Sequence, residues 1–471
     1  QKEGRTEITL DEIYNNLYSQ QGKCKGDINL LKDIEIDVEY SIVEKNSYIY
    51  ELYKSCLEKG IKIYFTSDIY LPKEIIQKIL WKCKYTHWND LYISSEKACT
   101  KAYGNLYDIL LKETGIQPQN ILHIGDNYKS DIQQAQSRGL QVYYYPKCLE
   151  RAQKDKNFVF TWSDVLSRNS DQLIISLFKA ANVNKFYNAV EKGPCINLAD
   201  SRFWFDFGYN CVGILYFAFS IWLARLARAQ KVSKLFFLSR DGYILNKAYN
   251  IIARYIPGAP DSEYLYASRR ALNLPAINQI DEQTTDFLVS GTTRLRVGEY
   301  LQRIGLQPEL YTREVEEVGF QGLDQRILSG TDYGKLRALF RSLQDPIIRL
   351  AREEQSVLAE YLMQTGLLGE ERPAIVDIGW HGSMQRSLQQ LMNVTQDNGP
   401  SLAGYYVGTF PPAQKIADQG YEMHAFFCEK GQPERYHQII KYCVEIFEFI
   451  HSAPHGSVLR YRKNGRTIET V

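Results

Sequence analysis

Three short segments in the first third of the chain place oxygen, ammonium and carboxylate groups where a phosphate ester can be held. Thr66-Ser67-Asp68 follows the apolar, β-branched run Ile61–Phe65. A hydroxyl at a strand end can hold a phosphoryl oxygen while backbone N–H groups of the following turn point at the same anion. Ser67 is the first candidate, and Thr66 is the alternative, because a one-residue shift of the strand end exchanges them. Lys101 follows ISSEKACT, where an ammonium can neutralise phosphate charge and orient a carboxylate. GDNYKSD follows NILHI and supplies Gly125, Asp126, Asn127 and Asp131. Gly125 permits a sharp turn out of the strand. Asp126 is an oxygen ligand suited to a hard cation such as Mg²⁺, Asp131 adds a direct or outer carboxylate, and Asn127 a further phosphate contact. Alone, each is ordinary: a helix cap, a solvated lysine, turn chemistry. Together, in order and at one end of a parallel sheet, they point to a phosphate site with Ser67, Lys101 and Asp126 as the reacting groups.

The last 270 residues hold three more strand-end clusters. LSRDG gives Ser239, Arg240 and Asp241, and YASRRA gives Arg269 and Arg270. DIGWHGSMQ gives Asp377, Gly379, Trp380, His381, Gly382 and Ser383. Strand, glycine turn, hydroxyl and helix expose amide N–H groups to an anion. The arginines suit phosphate or carboxylate, and Trp380 can stack on a ring. The plainer reading is tight βα turns with structural glycines and surface arginines. The spacing is neither a Walker loop, since no lysine follows the second glycine, nor a dinucleotide fingerprint.

The elements that must position these groups alternate. From Ile61 the order is strand, helix, strand, helix, strand, helix, strand, which predicts an α/β fold with a parallel sheet. Sites on such sheets lie at the carboxyl ends of the strands. Before it, ITLDEIYNNLYSQ reads as a helix capped by Thr9 and Glu12, and further helices run to Gly60. The expected organisation is a helical cap over 1–60, a Rossmann-like core over 61–148, a helical linker over 149–200 and a second α/β domain over 201–471. That second domain carries a helical insertion at about 280–370.

The segments FTSDIYLP, Lys101 with AYGNLY, and HIGDNYKSDIQQAQSRG resemble motifs two, three and four of the haloacid-dehalogenase-like (HAD) superfamily. The nearest resemblance is to the HAD-like proteins found with bacterial surface-polysaccharide genes, and SRDG and DIGWHGSMQ resemble their C-terminal region. The resemblance implies Ser67 as the motif-two hydroxyl, Lys101 as the motif-three lysine, and Asp126 with Asp131 as Mg²⁺ ligands. It also implies a first motif, DxDxT after an apolar strand, whose first Asp is the nucleophile. That motif belongs before Ile8, where only seven residues stand. The lookalike Asp33-Ile-Glu35-Ile-Asp37 falls in a charged, helix-like part of the cap and is rejected. The chain opens without Met on residues already leading into a helix, so the expectation is that it begins after the first strand. The alternative is a domain that has lost catalysis and serves as a binding scaffold.

Composition narrows the classes. The 471 residues carry 56 basic and 55 acidic side chains, a net charge of +1, which gives no electrostatic reason to expect nucleic acid. Nine cysteines show no zinc-ligand spacing, and scattered reduced thiols in a cytoplasmic protein are expected. The polar start QKEGRTEITL is no signal peptide. The apolar run Cys211 to Ala227 is read as a buried core helix and not a membrane span. The function expected is a Mg²⁺-dependent HAD-type phosphohydrolase or phosphotransferase. Its substrate is a phosphorylated sugar, polyol or nucleotide-sugar of surface-polysaccharide biosynthesis. The alternatives are a transferase working from the C-terminal domain beside an inactive HAD-like part, and a non-enzymatic scaffold subunit.

Overall fold

The first helix, Leu10–Gln20, starts at a complete capping box: Thr9 Oγ1 accepts from the Glu12 amide (3.3 Å) and Glu12 Oε2 accepts from the Thr9 amide (2.9 Å). Two amides that the helix leaves unbonded are thereby satisfied. Helices Ile28–Ile42 and Ser47–Glu58 follow, capped by Asp27 and Asn46. Asp33 to Asp37 lie inside the helix Ile28–Ile42. Glu35 accepts from the Tyr14 and Tyr70 hydroxyls at 2.5 and 2.8 Å, so the DxDxT lookalike is a helix face. The computed structural model describes residues 5–20, 27–155, 172–188, 197–290, 295–396, 399–427, 438 and 440–471. Cys24, Cys195 and Cys428 lie outside the described residues.

The chain is α/β, in two compact units, residues 1–210 and 211–471. In the first unit the strands are β1 (Tyr64–Ser67), β2 (Asp90–Ile93), β3 (Leu122–Gly125) and β4 (Gln141–Tyr144). β1 begins later than its apolar run predicts, because Ile63 bonds instead to Asn89: its amide donates to Asn89 Oδ1 (2.8 Å) and its carbonyl accepts from the Asn89 amide (2.7 Å). Alternation predicts one parallel sheet. The strands instead form two separate parallel pairs, β1 with β2 and β3 with β4. Sequence-adjacent strands have paired through their crossover helices, and the inner edges of β1 and β3 are not hydrogen-bonded to each other. A cavity of about 950 Å³ lies against both edges, walled by Ile63, Phe65, Leu122, Ile124, Tyr53 and Tyr145 among others.

The stretch expected as a linker is only partly described. Its helices Cys148–Lys154 and Gln172–Tyr187 pack together, with Tyr187 donating to Asp155 at 2.7 Å and Val183 and Phe186 buried. They belong to the first unit.

The second unit is a five-stranded parallel sheet: β5 (Lys234–Leu238), β6 (Asp261–Leu265), β7 (Pro373–Asp377), β8 (Ala403–Gly408) and β9 (Met423–Phe427), in the spatial order β6-β5-β7-β8-β9. β7 and β8 are buried at every residue, as strands covered on both faces must be. Between β6 and β7 stands the expected helical insertion. Its helices Glu282–Val289, Val297–Ile304, Gly330–Ser342 and Gln344–Gln364 close over their own core of Leu301, Phe340 and Ile347. The hairpin β10 (Tyr461–Asn464) and β11 (Thr467–Thr470) packs on the last of these, Tyr461 stacking on Tyr361 with ring centroids 4.5 Å apart. One helix among the described residues, Ser201–Ala229, is long and apolar enough to cross a membrane. Its Phe219, Leu223, Ala224 and Ala227 pack in the core with Phe237 and Val376 of the sheet.

Candidate functional sites

In the first unit the anchor is Asp131, 2% exposed, in the wide helical turn Tyr128–Gln133 that follows β3. Lys101 Nζ donates to its Oδ1 at 2.7 Å, and His123 Nε2 lies 3.2 Å from the same oxygen. The Asn127 amide donates to Oδ2 at 2.9 Å. Tyr107 donates to the Ser130 carbonyl (3.1 Å), which leaves His123 Nε2–H, 3.0 Å from the Tyr107 oxygen, to donate to Tyr107 and Asp131. Burial pushes the Asp131 carboxyl up, but the His123 hydrogen bond, the Lys101 charge and the Asn127 amide together hold it well below the usual carboxylate range. Gly125 makes room for this. A Cβ there would stand 2.4 Å from Asp131 Cγ, so no other residue fits without displacing the carboxylate.

The lysine is placed from the other strand pair. Asp68, just past β1, accepts from the Lys101 amide (2.7 Å) and the Ala102 amide (3.1 Å). Thr66, Lys101, Asp126 and Asp131 line the 950 Å³ cavity together. Ser67 and Asn127 are not among its walls, so Thr66 is the hydroxyl the structure brings to the cavity. The Asn127 side chain caps the next turn, accepting from the Lys129 and Ser130 amides at 3.1 Å each. Sequence reasoning missed His123 and Tyr107 altogether and gave Asp68 no role. A histidine on the strand before GDN was the available signal.

Asp126 is exposed and makes no hydrogen bond or ion pair among the described residues. Both Asp131 oxygens are engaged, and no group of three His, Cys, Asp or Glu side chains among the described residues stands ready to hold a metal ion. Asp126 and Asp131 alone therefore do not make the expected Mg²⁺ site.

The second unit gathers its clusters at the carboxyl ends of β5, β6 and β7. Phe237 pairs with Val376, so Asp377 ends β7 next to Leu238, three residues before Asp241. Several expected ligand contacts prove to be structural. Ser239 ties the end of β5 to that of β6, donating to the Ala267 carbonyl (2.8 Å) and accepting from its amide (2.9 Å). Arg270 is spent on the Glu354 carboxylate and the Ile304 carbonyl, each at 2.8 Å through Nη2. Trp380 is 6% exposed, stacked on Phe410 at 5.0 Å with Phe447 at its edge; a large indole beside two phenyl rings buries itself and leaves no face for a ligand. Gly379 has φ +141°, and a Cβ there would lie 2.2 Å from the Gly408 carbonyl oxygen. Gly382, in the left-handed region, leads into the helix Ser383–Thr395.

What remains open is Arg240, Asp241, Arg269, Asp377, His381 and Ser383. Asp377 is 3% exposed, and among the described residues its carboxylate accepts only from the adjacent Ile378 amide (2.9 Å). Burial, then the charge of Asp241, push its carboxyl up to about 8. Burial pushes Asp241 up to about 6, with Arg240 and Arg269 pulling down and Glu448 pushing up. Burial and Arg269 lower His381, which leaves its ring neutral near pH 7. No protein-family model matches the chain, and no curated protein matches it.

Proposed function

We propose that the first unit is the phosphate-handling half of a HAD-type phosphohydrolase or phosphotransferase. The substrate class is a phosphorylated sugar, polyol or nucleotide-sugar, in the context of surface-polysaccharide synthesis. The observation that carries this reading is the Lys101–Asp131 ion pair at the strand ends, on the wall of a cavity that Thr66 and Asp126 also line. Asp131 keeps Lys101 positioned with one of its three N–H donors. The other two are free to take phosphoryl oxygens, and the Thr66 hydroxyl donates to another. Charge-assisted donors fixed before substrate arrives stabilise the extra negative charge of phosphoryl transfer.

The nucleophile of this reading is a carboxylate at the end of a strand lying between β1 and β3. Support comes from the cavity against both inner edges, apolar along the strands and polar at their carboxyl ends. The carboxylate attacks phosphorus, the ester oxygen leaves with a proton, and water then hydrolyses the acyl phosphate to inorganic phosphate. Asp126, exposed on the cavity wall, would help to hold Mg²⁺, which would supply charge neutralisation of the phosphoryl group.

The test is phosphate release from a panel of sugar phosphates by the protein as its gene encodes it. Lys101→Met and Asp126→Asn are each expected to lower the rate at least about 100-fold. Release that ignores both substitutions, or no release from any ester, overturns the reading.

A further inference from the structure

The sheet order β6-β5-β7-β8-β9 reverses direction between β5 and β7. The chain leaves β5 toward one side and β7 toward the other, so their following loops part and open a crevice at the strand ends. Asp241 stands at one lip and Asp377 at the other. Both carboxylates are unspent. Asp241 opens the helix Gly242–Ala253 without capping it, and neither acid has a cation within ion-pair distance among the described residues. A carboxylate 3% exposed with one backbone hydrogen bond is a costly group to keep in a core, and the strand before it is otherwise apolar. Arg269 and Arg240 at the same rim are exposed and have no ion-pair partner among the described residues, in contrast to Arg270 beside them.

We infer that this crevice is a binding site for a small molecule bearing an oxyanion. Arg269 carries the ionic contact, and the carboxyl of Asp377 donates a hydrogen bond to the same anion while it holds its proton. The inference does not depend on the reading of the first unit. The charged and titratable groups facing the pair are Arg240, Arg269, Glu448, Tyr264 and Tyr406, and His381 faces Arg269. Both tyrosines are shifted upward by burial and His381 downward, so Asp377, at about 8, is the group that changes charge between pH 6.5 and pH 9. Its ionisation replaces a donor with a repelling charge.

The experiment is calorimetric titration of the full chain with sulfate, and separately with oxalate, at pH 6.5 and pH 9. Both probes are dianions across that range. Binding is expected to weaken about tenfold or more at the higher pH. Arg269→Gln is expected to lose about tenfold at either pH, and Asp377→Asn to bind at pH 9 as the parent does at pH 6.5. Titration in the Lys101→Met background removes the anion contact proposed in the first unit, and the Arg269-dependent, pH-dependent binding is expected to persist there, which separates this site from the other. Preference for sulfate assigns a phosphate-type ligand and preference for oxalate a carboxylate. Binding that is independent of pH, binding indifferent to Arg269→Gln, or no binding of either anion overturns the inference. Arg269 is exposed, so its variant decides the question even if Asp377→Asn fails to fold.

Discussion

The two units each place a buried aspartate at the carboxyl end of a parallel strand, and the two aspartates behave oppositely. Asp131 meets a lysine, a histidine and an amide, and is held ionised far below the usual carboxylate range. Asp377 accepts, among the described residues, from the next amide alone, and burial with the charge of Asp241 outweighs Arg269 and pushes it up to about 8. Burial works against the charge at both positions, so the partners decide the state. A strand-end acid in an α/β protein is therefore no single kind of group. One is a charged strut for a lysine; the other is an acid that burial keeps protonated at neutral pH.

The largest test of this contrast removes the strut's partner. Lys101→Met leaves Asp131 buried with His123 and the Asn127 amide but without its cation, and is expected to destabilise the first unit by about 3–5 kcal/mol, read by urea unfolding. Next comes pH. Asp377 has a folded value above its unfolded one, so the stability tied to its protonated form is complete below about pH 4 and is lost as pH rises through about 8. The second unit should lose about 1.4 kcal/mol per pH unit from this group within that window, about 2 kcal/mol from pH 6 to pH 8, and Asp377→Asn should remove the part of the slope above pH 6, leaving that of Asp241 below it. Asp131 runs the other way. Its stabilisation is present above the unfolded value near pH 4 and is lost as pH falls below it, so the first unit should fail on the acid side. Thermal melts of parent and variant across pH check both signs.

A smaller perturbation sharpens the steric side. Gly125→Ala forces a methyl onto Asp131, and is expected to cost about 2 kcal/mol and to displace the carboxylate, measurable as faster exchange of the Asn127 amide it accepts from. The smallest effect separates a cap from an unspent acid. Asp27 accepts from the Asn29 and Leu30 amides, so Asp27→Ala is expected to cost about 1 kcal/mol. Asp241 caps nothing, and burial raises its carboxyl, so Asp241→Asn is expected to stabilise the second unit at pH 7, the opposite sign.

Much of this was legible in the residues. Apolar runs closed by glycine and polar turns located every strand that carries a candidate group, because side-chain period and turn chemistry are local. Lys101, Asp126 and Asp131 were found by their order along the chain, and the rejection of Asp33–Asp37 followed from its helical setting. Partner choice was not legible. Nothing in SRRA distinguishes Arg269, left open, from Arg270, taken by Glu354 some 84 residues away. Nothing in GWHG says that Trp380 turns inward onto Phe410. His123 was passed over because its use depends on Tyr107 and Asp131 arriving from two other elements. The division of the first four strands into two pairs was equally hidden, since alternation fixes which elements exist and not which edges meet.

Those two pairs have a consequence for how the protein behaves in a tube. A continuous four-stranded sheet presents two free edges; two separate two-stranded sheets present four. Each open edge is a row of unsatisfied amides and carbonyls able to recruit another chain, and here Leu122 and Ile124 stand exposed beside one of them. Concentration-dependent aggregation seeded at β1 and β3 is the expected colloidal weakness of the chain. A short extended peptide rich in Val and Ile, added in excess, should act on it as a solubilising agent.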